Sequence, residues 1–499
     1  MSEAPIVRID AGAVRGVWRT EGRRGAASAA FLGIPFAQAP VGDLRFAAPV
    51  PPEPWDDARE ATAFGATAQR GDKGETLIPE PSIPGESTLN VNVFTPSPGA
   101  PDAGLPVLVW IHGGGFTSGS PASPWYDGRA FARSGIVTVT ISYRLGFDGF
   151  GHIDGAPSNR GVRDWLAALE WVQRNIAAFG GDPSQVTIAG QSAGGGAVLT
   201  LLGMPAAQHL FHRVWALSPA LADVGHERAR TLSARLAALA GVTPTRDGFA
   251  SVPEETLESL QEKAAASPSK DPLDAVRTIV SDGLPWGPAI DGDLLTQPTL
   301  ASIAAGVGAD KALVIGATDD EFTMLTDQTP ALAKLVPASL ALGRLIDDAD
   351  VRRAYLADNR EQRRKGTPAV LGRYVSDAVF RRGVVRVADT RADAATWAYR
   401  FSWPSPVKRW ALHCLDVPFW WDVLRDGGEV TPDVRALAGD APPEALADAV
   451  HGAAVAFVRG GDPGWPTWSG FPGVTRVFGG EASVPDVVAD GYASVRALV

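Results

Sequence analysis

The segment Gly190-Gln191-Ser192-Ala193-Gly194 is a G-x-S-x-G pentapeptide. Flanking glycines let a chain turn sharply from strand into helix and leave the serine hydroxyl exposed, as a nucleophile requires. The strand-like run QVTIA precedes it and the small-residue stretch AGGGAVLTLLG follows. A glycine turn with an incidental serine is the bland alternative, and this context weighs against it. Upstream, His112-Gly113-Gly114-Gly115-Phe116 closes the apolar run LPVLVWI. Three consecutive glycines after a strand can turn backbone N–H groups into a cavity. There they would hold a developing oxyanion, each donor worth roughly 3–4 kcal/mol. A phosphate loop is excluded, because no G-x-x-x-x-G-K-S/T is present.

A nucleophilic serine needs a base and an acid that orients the base. Where a serine sits on such a turn, the chain order is serine, acid, histidine. Of the seven histidines, His209, His212 and His226 follow Ser192 too closely to leave room for an intervening acid strand. His451 falls within the helical pattern ALADAVHGAAVAFVRGG. His413 lies in a loop after the run TWAYRF, where an imidazole can reach a nucleophile. The acid then belongs between 192 and 413, at the end of a strand. KALVIGATDDEF offers Asp319, Asp320 and Glu321, and the residues alone do not choose among them. At least one of the three is expected to be a solvated loop charge.

Compact Val- and Ile-rich runs at 105–113, 135–143, 185–192, 213–219, 311–318 and 396–401 suit strands covered on both faces. Between two of them, Val162, Trp165, Leu166, Leu169, Val172 and Ile176 follow the spacing of an amphipathic helix, stopped by Gly180, Gly181 and Pro183. Alternation of strands and helices predicts an α/β chain with a largely parallel sheet. Residues 5–32 and 88–96 alternate and predict antiparallel strands. Residues 226–380 predict a mostly helical insertion within one domain spanning 1–499. Residues 65–87 are polar and broken, and predict a surface loop.

The chain has 499 residues and a net charge of −11. An acidic chain with no Lys/Arg block has no electrostatic case for nucleic acid or an anionic membrane. No run approaches the ~18 apolar residues of a membrane span. Cys414 is the single cysteine, so no internal disulfide can form. With no basic, apolar start, the chain is expected in the cytoplasm. No His/Cys/Asp ligands cluster at metal spacing, so neither metal nor other cofactor is expected.

Taken together the motifs resemble the type-B carboxylesterase family, the cholinesterase-like branch of the α/β-hydrolase fold. FLGIPFAQAPVGDLRFAAP, HGGGF, FGGDPSQVTIAGQSAGG, TDDE, the His413 loop and AFVRGGDPGWPTW fall in the family's order. The lone cysteine sets the chain nearer bacterial p-nitrobenzyl-esterase-like members. The resemblance implies a Ser192, Glu321 and His413 triad, choosing Glu321 among the three acids. It implies oxyanion donors at Gly114, Gly115 and Ala193, and buried ion pairs of Arg45 with Glu86 and of Arg144 with Asp164. The substrate implied is a small-molecule carboxylic ester; the same machinery would serve a carbamate, an amide or a long-chain lipid ester. A non-catalytic binding protein of the superfamily would lack Ser192. Oligomeric state is not legible, though a monomer is plausible. Phe322 stands where the family usually has Gly, and Trp165 where it often has Gln. Phe116, Trp286, Phe419 and Trp420 are expected to line the substrate pocket and shorten it, favouring short-acyl and aryl esters.

Overall fold

The computed structural model describes residues 3–19, 28–71, 74, 76–221, 223–266, 269, 271–328, 335–483 and 485–499. Strands β1 (Ile6–Ile9), β2 (Gly12–Arg15) and β5 (Arg59–Glu60) form a small sheet at the N-terminal end. The large sheet holds β3 (Val17–Arg19), β4 (Ser28–Pro35), β6 (Asn90–Thr95), β7 (Leu105–Ile111), β8 (Val137–Ile141), β9 (Gly181–Gln191), β10 (Arg213–Leu217), β11 (Ala312–Thr318), β12 (Thr396–Phe401), β15 (Thr475–Phe478) and β16 (Val487–Val488). Two-residue strands β13 (Arg425–Asp426) and β14 (Glu429–Val430) pair apart from it. The spatial order is 16-15-12-11-10-9-7-8-6-4-3.

The centre of that sheet, from β8 to β15, is parallel; the β6, β4 and β3 edge and β16 are antiparallel. Every residue of β8 is buried, as are the last five of β7. Such strands need cover on both faces; the last five residues of β7 are all apolar, and β8 buries Thr138 and Thr140 between its Val and Ile residues. One face carries the helix Arg160–Asn175, whose Val162, Trp165, Leu169 and Val172 are buried in the larger core. The other face carries the helix Glu444–Gly460 and a second core rich in tryptophan.

Arg144 pairs with Asp164 as expected, at 2.7 Å with both side chains buried. Arg45 does not pair with Glu86. It reaches Asp148 at 3.2 Å and the Val252 carbonyl at 2.7 Å, while Glu86 is exposed. The segment 65–87 also departs from a plain surface loop. Gln69 is buried, accepts from the Gly119 amide at 2.6 Å and donates to the Glu80 carbonyl at 2.9 Å. These side-chain bonds replace secondary structure there; residues 72, 73 and 75 lie outside the described residues. Between Thr299 and Thr390 the chain is mostly helical, with β11 inside it. Among the described residues, no helix is long and apolar enough to cross a membrane.

Candidate active site

Parallel strands end side by side, so the loops that follow them meet along one edge of the sheet. Ser192 follows β9 and caps the helix Ala193–Leu202. Its backbone, φ 59° and ψ −120°, lies outside the regions a residue with a side chain ordinarily adopts. Close approach holds it there. A Cβ on Gly194 would lie 2.0 Å from the Ile111 carbonyl oxygen, and one on Gly190 would lie 2.4 Å from the Gly194 carbonyl oxygen. Three backbone bonds fix the turn: Ser192 N–H to Leu217, and the amides of Gly196 and Ala220 to the Ser192 carbonyl, at 2.9, 2.9 and 3.0 Å.

The loop after β7 runs beside this turn. Gly114 and Gly115 both have positive φ, 106° and 62°, and a Cβ on Gly114 would collide with the Ser118 carbonyl. Ala193 opens the serine helix, so its amide is one of the four with no acceptor inside the helix. His112 is stacked on Tyr143 with ring centroids 4.5 Å apart, and burial lowers its pKa to about 4. It is a neutral packed ring.

The loops after β11 and β12 bring Glu321 and His413 together. His413 Nδ1 is hydrogen-bonded to Glu321 Oε2, and Glu321 Oε1 accepts from the Thr318 amide at 2.9 Å. Both side chains are buried. His413 Nε2 accepts from the Gln191 side-chain amide at 3.0 Å. In the neutral ring the carboxylate at Nδ1 favours the proton there, leaving Nε2 unprotonated. Phe322 and Phe380 flank the imidazole, each with its centroid 4.8 Å away. Burial opposes a charge on His413, whereas the adjoining Cys414 sulfur and the Glu321 carboxylate favour it. The balance holds the imidazole well above its ordinary pKa. Asp416, buried nearby and bonded to the Tyr399 hydroxyl at 3.0 Å, is pushed up to about 7 by burial and by the Glu321 charge.

Neither other acid of the run is a solvated loop charge. Asp319 meets Arg381 and Arg400, each at 2.9 Å, and Asp320 meets Arg373 at 3.0 Å. Arg381 in turn holds Asp377 at 2.8 Å, and the Tyr355 hydroxyl donates to the same carboxylate. Only Glu321 faces the imidazole.

Ser192, His413, Gly114 and Gly115 line one cavity of about 1820 Å³. Its other walls are chiefly aliphatic, contributed by residues such as Leu221, Leu284, Leu340, Leu371 and Val375. The four aromatics expected there are in the cores instead. Phe116 packs on Phe150 and Trp165, and Trp286 meets Phe147 edge-on at 5.9 Å. Phe419 lies against Phe401 and Trp403, and Trp420 against Trp110 and Phe131. A short helix, Val417–Trp420, turns the last two away from the site and under the sheet. Gln191, Phe380 and the aliphatic wall were not singled out from sequence. Gln191 stood inside the serine motif, whereas Phe380 carries no local signal; a wide helical turn over Asp377–Arg381 brings it to His413.

The carboxylesterase family model matches residues 3–472. The chain belongs to the carboxylesterase family. It is 33% identical over 465 residues to a para-nitrobenzyl esterase of Bacillus subtilis, covering 87% of this chain and 88% of that protein. It is 31% identical to a phenmedipham hydrolase of Pseudarthrobacter oxydans, over 94% and 95% of the two chains. The crystal structure of a Geobacillus stearothermophilus carboxylesterase superposes with a TM-score of 0.75 at 34% identity, over 95% of this chain and 96% of that one. The mixed sheet is therefore an α/β-hydrolase sheet, and this carboxylesterase hydrolyses carboxylic esters.

Proposed function

We propose that ester hydrolysis proceeds through an acyl-enzyme on Ser192, with His413 as base and Glu321 as its orienting acid. The observation that carries the reading is the Nδ1 bond of His413 to Glu321, with His413 and Ser192 lining one cavity. Nε2 takes the Ser192 proton as Oγ attacks the carbonyl carbon. The amides of Gly114, Gly115 and Ala193 receive the oxyanion. His413 then gives its proton to the departing alkoxide, and a water deprotonated by Nε2 releases the acid. Glu321 keeps the tautomer and stabilises the imidazolium. Gln191 must yield Nε2 to the serine hydroxyl in each cycle.

The substrate is a small-molecule ester, and the aliphatic cavity takes acyl groups longer than the short ones expected from the aromatics. A carbamate is a second substrate for the same steps, a reading favoured by the phenmedipham hydrolase relative. The chain acts as one domain, as a monomer, in the cytoplasm. Ser192→Ala is the test: turnover of p-nitrophenyl acetate and labelling by a fluorophosphonate should both vanish while the melting temperature is kept. Retained labelling would refute the assignment.

A further inference from the structure

Arg382 and Arg386 open the helix Arg382–Thr390 one turn apart. Both line the cavity that holds Ser192 and His413. Among the described residues neither side chain has a hydrogen bond or an ion pair. Arg344 at the same cavity contrasts with them, since Asp271 answers it at 2.6 Å and Asp274 at 3.3 Å. Like charges at this spacing repel. Arg382 is half-buried, and burial together with the Arg386 charge lowers its pKa. Of the groups acting on it only the Tyr374 phenol opposes that shift, and no carboxylate is among them. Of the carboxylates that line the cavity, Asp223 holds Thr299 at 2.7 Å and Asp282 holds Ser281 at 2.7 Å, and Glu80 and the exposed Glu262 line it as well. Phe380, two residues before Arg382, rests on the His413 ring. The unpaired cations thus share one helical run with a wall of the reaction site.

The geometry points to an anion subsite: Arg382 and Arg386 receive a carboxylate carried at the remote end of the ester undergoing hydrolysis. Arg382 is half-buried and Arg386 exposed at this largely aliphatic cavity, so a carboxylate makes its charge-assisted bond chiefly at Arg382, with the Arg386 charge adding to the attraction. The aliphatic lining of the cavity that the pair and the serine share suits a methylene chain. The favoured substrate class is a half-ester of a dicarboxylic acid, or the ester of a hydroxy acid, which present that carboxylate from the acyl and alcohol sides respectively. This inference rests on the Ser192 reading above.

The test compares matched esters. On the acyl side they are mono-p-nitrophenyl suberate and p-nitrophenyl octanoate. On the alcohol side they are 8-acetoxyoctanoate and octyl acetate. For each pair, kcat/KM is measured in wild type and in Arg382→Gln/Arg386→Gln. In at least one pair, the variant should lower the ratio of anionic to neutral ester by roughly 10- to 100-fold. Added salt should erode the wild-type ratio for that pair. Ratios unchanged by the variant in both pairs would overturn the subsite. If the double variant fails to melt cooperatively, Arg386→Gln alone and the wild-type salt series decide, a salt-independent ratio counting against the subsite. Hydrolysis that survives Ser192→Ala would instead condemn the catalytic assignment, so the two failures are distinct.

Discussion

His413 and Glu321 are joined twice. Their side chains share the Nδ1 bond, and the His413 amide donates to the Glu321 carbonyl at 2.7 Å. A third bond, from the Asp320 amide to the Ala411 carbonyl at 2.9 Å, closes the same two loops together. The two residues are held by backbone as well as by their side-chain bond.

Glu321→Gln should therefore keep the fold and lose the chemistry. The backbone bonds survive, but a neutral amide neither holds the tautomer nor stabilises the imidazolium. A fall in kcat of about 10³-fold or more is expected, with a melting temperature within a few degrees of wild type. Steady-state kinetics on p-nitrophenyl acetate beside a thermal melt checks both.

Asp319→Asn should do the reverse, acting mainly on stability. It leaves Arg381 and Arg400 facing an uncharged group in a buried network, a loss of about 3–5 kcal/mol. The Arg400 and Arg381 charges hold the Asp319 carboxyl well below its ordinary range although burial opposes them. Its contribution is thus fully present above the ordinary carboxylate pKa of about 3.9 and is lost progressively as pH falls from there through the depressed pKa of the folded state. Urea melts of both proteins should differ widely at pH 7, and the gap should only begin to narrow between pH 4 and pH 3, because the folded-state carboxyl stays ionised well below its ordinary pKa.

The acid limb of kcat/KM should lie above the ordinary histidine value of about 6.5. A raised pKa keeps the second proton on His413 to higher pH, and only neutral imidazole accepts the serine proton. Gln191→Glu sets a carboxylate beside Nε2, stabilises the imidazolium and should move the limb further up. A pH–rate profile that is flat between pH 5 and 9 would contradict both statements.

Trp420→Ala should cost about 3–5 kcal/mol as a core truncation and leave the relative rates on p-nitrophenyl acetate, butyrate and octanoate unchanged. Phe322→Ala, beside the imidazole, should alter those rates and the acid limb. Parallel rate and denaturation measurements on the two variants separate core from site.

The serine turn, the glycine triplet and the central strands were legible because each depends on neighbours in sequence: a sharp turn demands local glycines, and a doubly covered strand an apolar run. Glu321 was not separable from Asp319 and Asp320 by such reasoning, since their difference lies in Arg373, Arg381 and Arg400, more than fifty residues away. Arg45 found Asp148 rather than Glu86 for a similar reason. Phe419 and Trp420 misled because closeness to His413 along the chain says nothing about which face of the sheet a following helix turns them toward.

Strands β11 and β12 are hydrogen-bonded neighbours, and the chain between them leaves the sheet at Asp319 and rejoins it at Thr396. Glu321 and His413 are set by that pairing, whereas much of the aliphatic wall, and Arg382 and Arg386, come from the excursion. The same excursion also carries Arg373, Phe380 and Arg381, which are tied to Asp320, His413 and Asp319, so only the part before Arg373 is free to vary without them. Grafting a relative's residues over 335–371, with Arg373, Phe380 and Arg381 kept, should retarget substrate choice while leaving turnover of a minimal acetate ester in place.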